Sequence, residues 1–371
     1  MQIRRDYDLT KLNTFGISAR AKFFTELTRE DDIPVLFSSL EFKNNEKLFL
    51  GGGSNVLFTR DFDGIVILNK LNGIEILETP RVTLGKDEVL LRAMGGEVWH
   101  DFVIFSVRHG YWGIENLALI PGSVGAAPMQ NIGAYGAELK DVLEAVDAYD
   151  VETGDKRVFS VYECEPGYRD SVFKGLLKGK YFISAITIRL SKSEKKNLGY
   201  ASLREHIEKN NIEIQTSSDV SNTVSHIRER KLPDPRVVGN AGSFFKNVFV
   251  TRDELDRLRA KFPDIRYFEE REEEEGKIKI PAAWLIENSG PLPGTKSALI
   301  GASMIGGATP LNGASWKGWR VGHVGVHERH ALVLVNYGAG TGEDIKNLAE
   351  EIIESVQKKF GITLEPEVNF I

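Results

Sequence analysis

The chain has 371 residues, 42% hydrophobic and 27% charged, a globular balance that predicts two or three domains at about 100–200 residues each. Its net charge of −6, with no block of Lys or Arg, excludes an electrostatic footprint for nucleic acid, and no run of about 18 apolar residues predicts a membrane span. Cys164 is the only cysteine, which rules out an internal disulfide and a Cys-clustered zinc site, and Met1-Gln2-Ile3-Arg4-Arg5-Asp6 lacks the apolar core of a signal peptide, so a cytoplasmic protein without metal is expected.

A helix is expected from about Thr28, with Ile33, Leu36, Phe37 and Leu40 on one face. Short β-rich runs follow at 47–50, 64–68 and 89–93, set off by Gly, Pro and Asn. The periodicity predicts a second helix over 98–107, stopped by His109-Gly110, and further strands at 145–150 and 182–190. A third helix should follow a cap at Ser217-Ser218-Asp219, turn Val220, Val224 and Ile227 inward, and end before Pro233. A fourth opens at Thr251, with Glu254 at the capping-box spacing. The acidic stretch 269–275 reads as a solvated loop, because like charges repel and need water. Residues 291–314 read as an inserted surface excursion. The last helix, 345–360, carries the stripe Leu348, Ile352, Val356, Phe360 and ends at Gly361. Without strict β-α alternation, the fold class is α+β.

Residues 47–58 are a strand running into the polar loop Gly51-Gly52-Gly53-Ser54-Asn55. Successive glycines let backbone N–H groups converge on one point, a concavity suited to phosphate, and Ser54 and Asn55 add side-chain donors. Val56 stands where a Rossmann fingerprint needs its third glycine, and no Gly-Lys-Ser/Thr follows as in a Walker A loop. By itself, a tight turn accounts for the loop equally well. A second run, Pro121-Gly122-Ser123-Val124-Gly125-Ala126-Ala127, leads into Asn131-Ile132-Gly133-Ala134-Tyr135-Gly136. So many small residues suit a backbone that approaches a flat or charged ligand, and two such loops suit a dinucleotide pyrophosphate; close strand packing is the alternative.

Asn13-Thr14-Phe15-Gly16, the two glycine loops, Gly167-Tyr168-Arg169-Asp170-Ser171, Lys231-Leu232-Pro233-Asp234-Pro235, Asn240-Ala241-Gly242-Ser243-Phe244-Phe245-Lys246-Asn247 and Leu364-Glu365-Pro366-Glu367-Val368 follow one another along the chain. In this order, and over nearly the whole length, they resemble the UDP-N-acetylenolpyruvoylglucosamine reductase family, in the branch with a mobile tyrosine loop. The resemblance implies a two-subdomain FAD-binding module of the vanillyl-alcohol-oxidase (PCMH) type plus an α+β substrate domain. It implies boundaries at 1–70, with 362–371 returning to that part, 71–228, and 229–361. It also implies FAD, NADPH as reductant, a UDP-sugar substrate in cell-wall precursor synthesis, and a monomer. None of the seven histidines lies in either glycine loop and Cys164 is remote from both, so the flavin is expected to be noncovalent.

Reduction of an enol ether conjugated to a carboxylate needs a hydride donor, a cationic or hydrogen-bonding stabiliser, and a positioned acid. By the resemblance, Arg169 clamps the enolate and carboxylate, Ser243 donates the proton and Glu367 assists. Gly51, Gly53, Ser54, Asn55, Pro121, Gly122, Ser123, Gly125, Ala126, Asn131, Gly133, Ala134, Tyr135 and Arg228 match flavin-binding positions. Tyr200, Lys231, Asn247 and His330 match positions that hold the substrate. Read from the residues alone, Arg169 pairs as readily with an acid such as Asp170, Gly242-Ser243 reads as a turn, and Lys231 reads as a solvated helix-end lysine. Two positions depart from the family: His330 stands where relatives often carry an amide, and Asn369 where some carry arginine. A flavin oxidase on the same fold and a flavin or nucleotide-sugar carrier are the competing readings.

Overall fold

The computed structural model describes residues 1–77, 84–269, 277–293, 295 and 315–371. Nearly all of the acidic stretch and most of the 291–314 excursion lie outside the described residues; Glu269, at the edge of the first, pairs with Arg252 at 2.6 Å. The chain divides into two compact units. The first comprises Met1–Asp8, Arg20–Gly53 and Asp61–Arg230, the second Leu9–Ala19, Ser54–Arg60 and Lys231–Ile371. Among the described residues no helix is long and apolar enough to cross a membrane.

In the first unit, strand Phe62–Asn69 pairs in parallel with both Arg20–Leu27 and Glu46–Leu50. A central parallel strand is covered on both faces, which is why Ile65, Val66 and Ile67 run on without alternation. Arg4–Asp8 adds an antiparallel edge. Ile33, Leu36, Phe37 and Phe42 form the core with this sheet. The helix expected from Thr28 needs correction. It begins as a 3-10 turn, Glu30–Asp32, continues as Ile33–Ser38 and breaks at Ser39, whose hydroxyl accepts the Phe42 N–H and starts Leu40–Lys43. The break at an extended Ser39 shifts the helical phase, so Leu40 is 71% exposed and not on the inner face.

A second sheet of this unit is antiparallel, in the order Lys156–Ser160, Leu143–Asp150, Tyr181–Ser191, Glu88–Met94, Ile74–Ile76. Helices Trp99–Arg108 and Ser217–Lys231 join its core through Phe102, Val103, Val107, Val220, Val224 and Ile227. Each such burial contributes about 1.5–3 kcal/mol. The 217–231 helix is capped one residue earlier than expected: Thr216 N–H donates to Asp219 Oδ2 at 2.7 Å and Asp219 N–H returns to Thr216 Oγ1. A helix with no counterpart in the sequence reading, Ala201–Lys209, follows directly on Tyr200.

The second unit carries an antiparallel sheet in the order Gly239–Ser243, Val333–Asn336, Val324–Val326, Arg320–Val321 and another in the order Val248–Val250, Ile278–Ile280, Phe268–Glu269. Helix Arg252–Lys261 has the Thr251–Glu254 capping box, and helix Gly342–Phe360 buries Leu348, Ile352, Val356 and Phe360 before Gly361 ends it at φ +73°. The chain's last strand, Asn369–Phe370, runs parallel to Val56–Leu57. Two further bonds hold it there: Thr59 N–H to Ile371 O and Ile371 N–H to Leu57 O, both 2.9 Å.

Candidate active site

The two glycine loops meet in the first unit. A Cβ on Gly51 would strike the Ser123 hydroxyl, and one on Gly52 would come within 3.0 Å of Gly122 Cα, so backbone lies directly on backbone. Gly53 and Gly122 both have positive φ, +62° and +122°. Gly125 is needed for packing: its Cβ would reach 3.0 Å from Gly95 Cα, and its N–H donates to Gly95 O at 2.8 Å. Ser123 Oγ is buried without a hydrogen-bond partner among the described residues. Pro121 and Ala126 are exposed beside it, and Gly133 and Ala134 form a short strand against Ala137–Glu138.

Asn131, buried at φ +41°, ties three segments together: its Nδ2 donates to Glu138 Oε2 at 2.8 Å and to Gly167 O at 3.0 Å, and its Oδ1 accepts the Lys140 N–H at 2.9 Å. It thereby anchors the tight turn in which Gly167 and Asp170 pair and Arg169 sits at φ +53°. An arginine in the left-handed region costs about 1–3 kcal/mol and persists only where its surroundings dictate it. Arg169 Nη2 donates to Gly133 O at 2.7 Å, which aims the guanidinium along the second loop.

Arg228 lies close enough to Tyr135 and Arg169 to sense their charges. Burial lowers its pKa first, Tyr135 opposing and Arg169 adding, yet a guanidinium stays protonated. Its Nε donates to Leu119 O at 3.2 Å. The rings of Tyr135 and Tyr200 meet edge to face at 5.5 Å. Asn116 holds them in place, donating to Tyr135 O at 2.9 Å and Asn197 O at 2.8 Å, while Asn197 donates to Gly136 O at 2.9 Å.

In the second unit the strand Gly239–Ser243 has a register irregularity between Asn240 and Ser243. Buried Asn240 shapes it, accepting Gly242 N–H at 2.9 Å and donating to Val238 O and Pro233 O. Such a bulge re-aims the side chain that follows, here Ser243. The next residues are clasped by the C-terminal segment: Glu367 N–H donates to Phe244 O at 2.8 Å, Phe245 bridges Pro366, and Lys246 pairs with Glu365 at 3.3 Å. Asn55, from the first glycine loop, donates to Glu367 O at 3.3 Å, and its own carbonyl receives Asn369 Nδ2 at 3.0 Å. Ser54 belongs to the same unit. Phe244 N–H donates to Leu332 O, which places His330 nearby, and Lys231 is near enough to lower the His330 pKa. Asn247 Oδ1 accepts Ala282 N–H at 3.1 Å, serving the start of helix Ala282–Glu287.

The family model described as UDP-N-acetylenolpyruvoylglucosamine reductase, C-terminal domain, matches residues 308–371, and one described as FAD binding domain matches 21–160. The UDP-N-acetylenolpyruvoylglucosamine reductase of Flavobacterium johnsoniae is 40% identical over 372 residues, spanning 100% of both proteins. That of Pseudomonas aeruginosa is 40% identical over 369 residues, spanning 100% of this chain and 99% of the relative. The chain belongs to the UDP-N-acetylenolpyruvoylglucosamine reductase family. Its fold is similar to the crystal structure of UDP-N-acetylenolpyruvylglucosamine reductase from Thermus caldophilus, with a TM-score of 0.59 at 19% identity over 100% of this chain and 99% of the other.

Membership in the reductase family makes the chain an FAD-dependent oxidoreductase, and its own residues fit that cofactor. An unpartnered buried hydroxyl costs about 1–3 kcal/mol, so Ser123 Oγ between two glycine loops points to a ligand acceptor. Arg228, half-buried, adds a positive charge in the same unit. Asn116, Asn197 and Asn240 build the site without being legible as site residues in the sequence. Asparagines beside glycine and tyrosine motifs were the available signal, but their partners lie far along the chain.

Proposed function

We propose that this chain reduces the enolpyruvyl group of UDP-N-acetylglucosamine enolpyruvate to UDP-N-acetylmuramate, with NADPH as reductant, in peptidoglycan precursor synthesis. Beyond family membership, the reading is carried by one juxtaposition in the second unit. The segment that presents Ser243, a proton source, is hydrogen-bonded to the segment that presents Glu367, a carboxyl. When bound, FAD would supply hydride chemistry at this site, with NADPH as the source of reducing equivalents.

The glycine loops hold the cofactor pyrophosphate through Gly51, Gly53, Ser54, Asn55 and Pro121, Gly122, Ser123, Gly125, Ala126, with Arg228 beside it. Asn131, Gly133, Ala134 and Tyr135 shape the second loop. Burial pushes the Cys164 thiol up to about 12, which supports noncovalent attachment. Arg169 offers its planar fork to the substrate carboxylate, where negative charge builds as hydride arrives. Ser243 Oγ gives its proton to the carbon next to that carboxylate and recovers one from solvent. A serine hydroxyl gives up its proton only where the acceptor is carbanion-like and water is excluded during the transfer. Glu367 helps by holding a shared proton, because a bare carboxylate would repel the developing charge. Tyr200, Lys231, Asn247 and His330 hold the sugar and diphosphate. The protein acts in the cytoplasm as a monomer, with 1–70 and 362–371, 71–228, and 229–361 as its functional divisions.

Anaerobic stopped-flow tests the reading. NADPH should bleach the yellow flavin and the enolpyruvyl UDP-sugar should restore its colour. Restoration by oxygen alone favours an oxidase, and failure of NADPH to bleach favours a carrier.

A further inference from the structure

We infer that His100 is the positioning residue for Arg228 and acts through the main chain of Leu119. The inference rests on the assignment of Arg228 to the FAD site. His100 lies at the start of helix Trp99–Arg108, and its Nδ1 accepts the Leu119 N–H at 3.0 Å. A ring nitrogen accepts only when unprotonated, so this imidazole carries its proton on Nε2. Trp99 grips the same segment, donating from Nε1 to Leu117 O at 3.0 Å. Leu119 has φ +58°, a conformation that a side-chain-bearing residue adopts only when held.

The same residue's carbonyl accepts Arg228 Nε–H at 3.2 Å. The imidazole therefore holds one side of Leu119 while Arg228, from helix Ser217–Lys231, is docked on the other. A guanidinium is planar, so fixing Nε fixes the plane of its remaining donors. Those Nη donors have no hydrogen-bond partner among the described residues. The charges facing His100 are Asp101 on its own helix and Arg228 and Glu229 on the other. Burial holds the imidazole below its ordinary pKa, Asp101 opposing and Arg228 adding. A second positive charge beside Arg228 is thereby avoided in the neutral range.

The test compares purified holoenzymes carrying His100→Asn and His100→Leu, reading FAD dissociation by flavin fluorescence on dilution and fold by circular dichroism. Asparagine Oδ1 takes the place of Nδ1 as acceptor; leucine fills space without accepting. The expected result is near-native FAD affinity in H100N and weakening of about tenfold or more in H100L, with unchanged circular dichroism. Equal affinity in H100L and wild type overturns the positioning role. If Arg228→Ala also leaves FAD affinity unchanged, the underlying assignment of Arg228 fails as well. Should H100L not fold, pH decides: FAD affinity of the wild type falls as pH drops through the folded His100 pKa, and that of H100N stays level. Parallel pH profiles would overturn the inference.

Discussion

The main-chain N–H of Glu367 donates to the carbonyl of Phe244 at 2.8 Å, which fastens the C-terminal segment beside the residue that follows Ser243. The Phe245–Pro366 bridge and the Lys246–Glu365 pair extend the same seam. Glu365 is thereby committed to a lysine, and Glu367 lies at the Ser243 end.

Ser243→Ala should leave flavin reduction by NADPH nearly intact and slow substrate reduction by about 10²–10⁴-fold, the usual weight of a positioned proton donor. The two half-reactions are separable in the stopped-flow instrument. Equal slowing of both would remove Ser243 from the proton-transfer step.

Arg169→Lys should lower kcat/KM by about 10–100-fold, because a point charge cannot reproduce a fork that reaches Gly133 O and a carboxylate together. The left-handed φ is the same in both proteins, so thermal stability should change by less than about 1 kcal/mol. A stable variant with native kinetics would show that Arg169 serves the loop and not the substrate.

Gly52→Ala places a methyl 3.0 Å from Gly122 Cα, where backbone and not a flexible side chain must give way. Overpacking of this kind costs about 1–3 kcal/mol and should spread the two loops. Purified G52A is expected to be folded but depleted of flavin, read as a reduced ratio of visible to ultraviolet absorbance. Full yellow colour would mean that the loops do not hold the cofactor.

Burial, with Lys231 nearby, pushes the His330 imidazole down to about 4. The unfolded value is about 6.5. Below that pH the unfolded chain binds a proton that the folded protein resists. Stability from the neutral ring is therefore complete above about pH 6.5 and is lost as pH falls toward 4, by at most about 3 kcal/mol. Urea melts at pH 7 and pH 4.5 should show a smaller acid loss in His330→Gln than in the wild type; equal losses would contradict the assignment.

Features set by residues close along the chain were legible in the sequence. The Thr251–Glu254 box, the Gly361 stop, the stripe of the last helix and the two glycine loops depend on spacing within a few positions, where backbone sterics and capping act. Leu40 leaves the inner face that periodicity predicts because the extended Ser39 resets the helical phase, and the 217–231 cap falls one residue early because Thr216, Ser217 and Ser218 are all competent caps. Only the tertiary structure decided that Gly51 faces Ser123, that Asn131 anchors the Arg169 turn, and that His100 reaches Leu119. These are pairings between distant residues, each selected by the packing of whole sheets and helices, and no local pattern encodes which of many possible partners a buried polar group will meet.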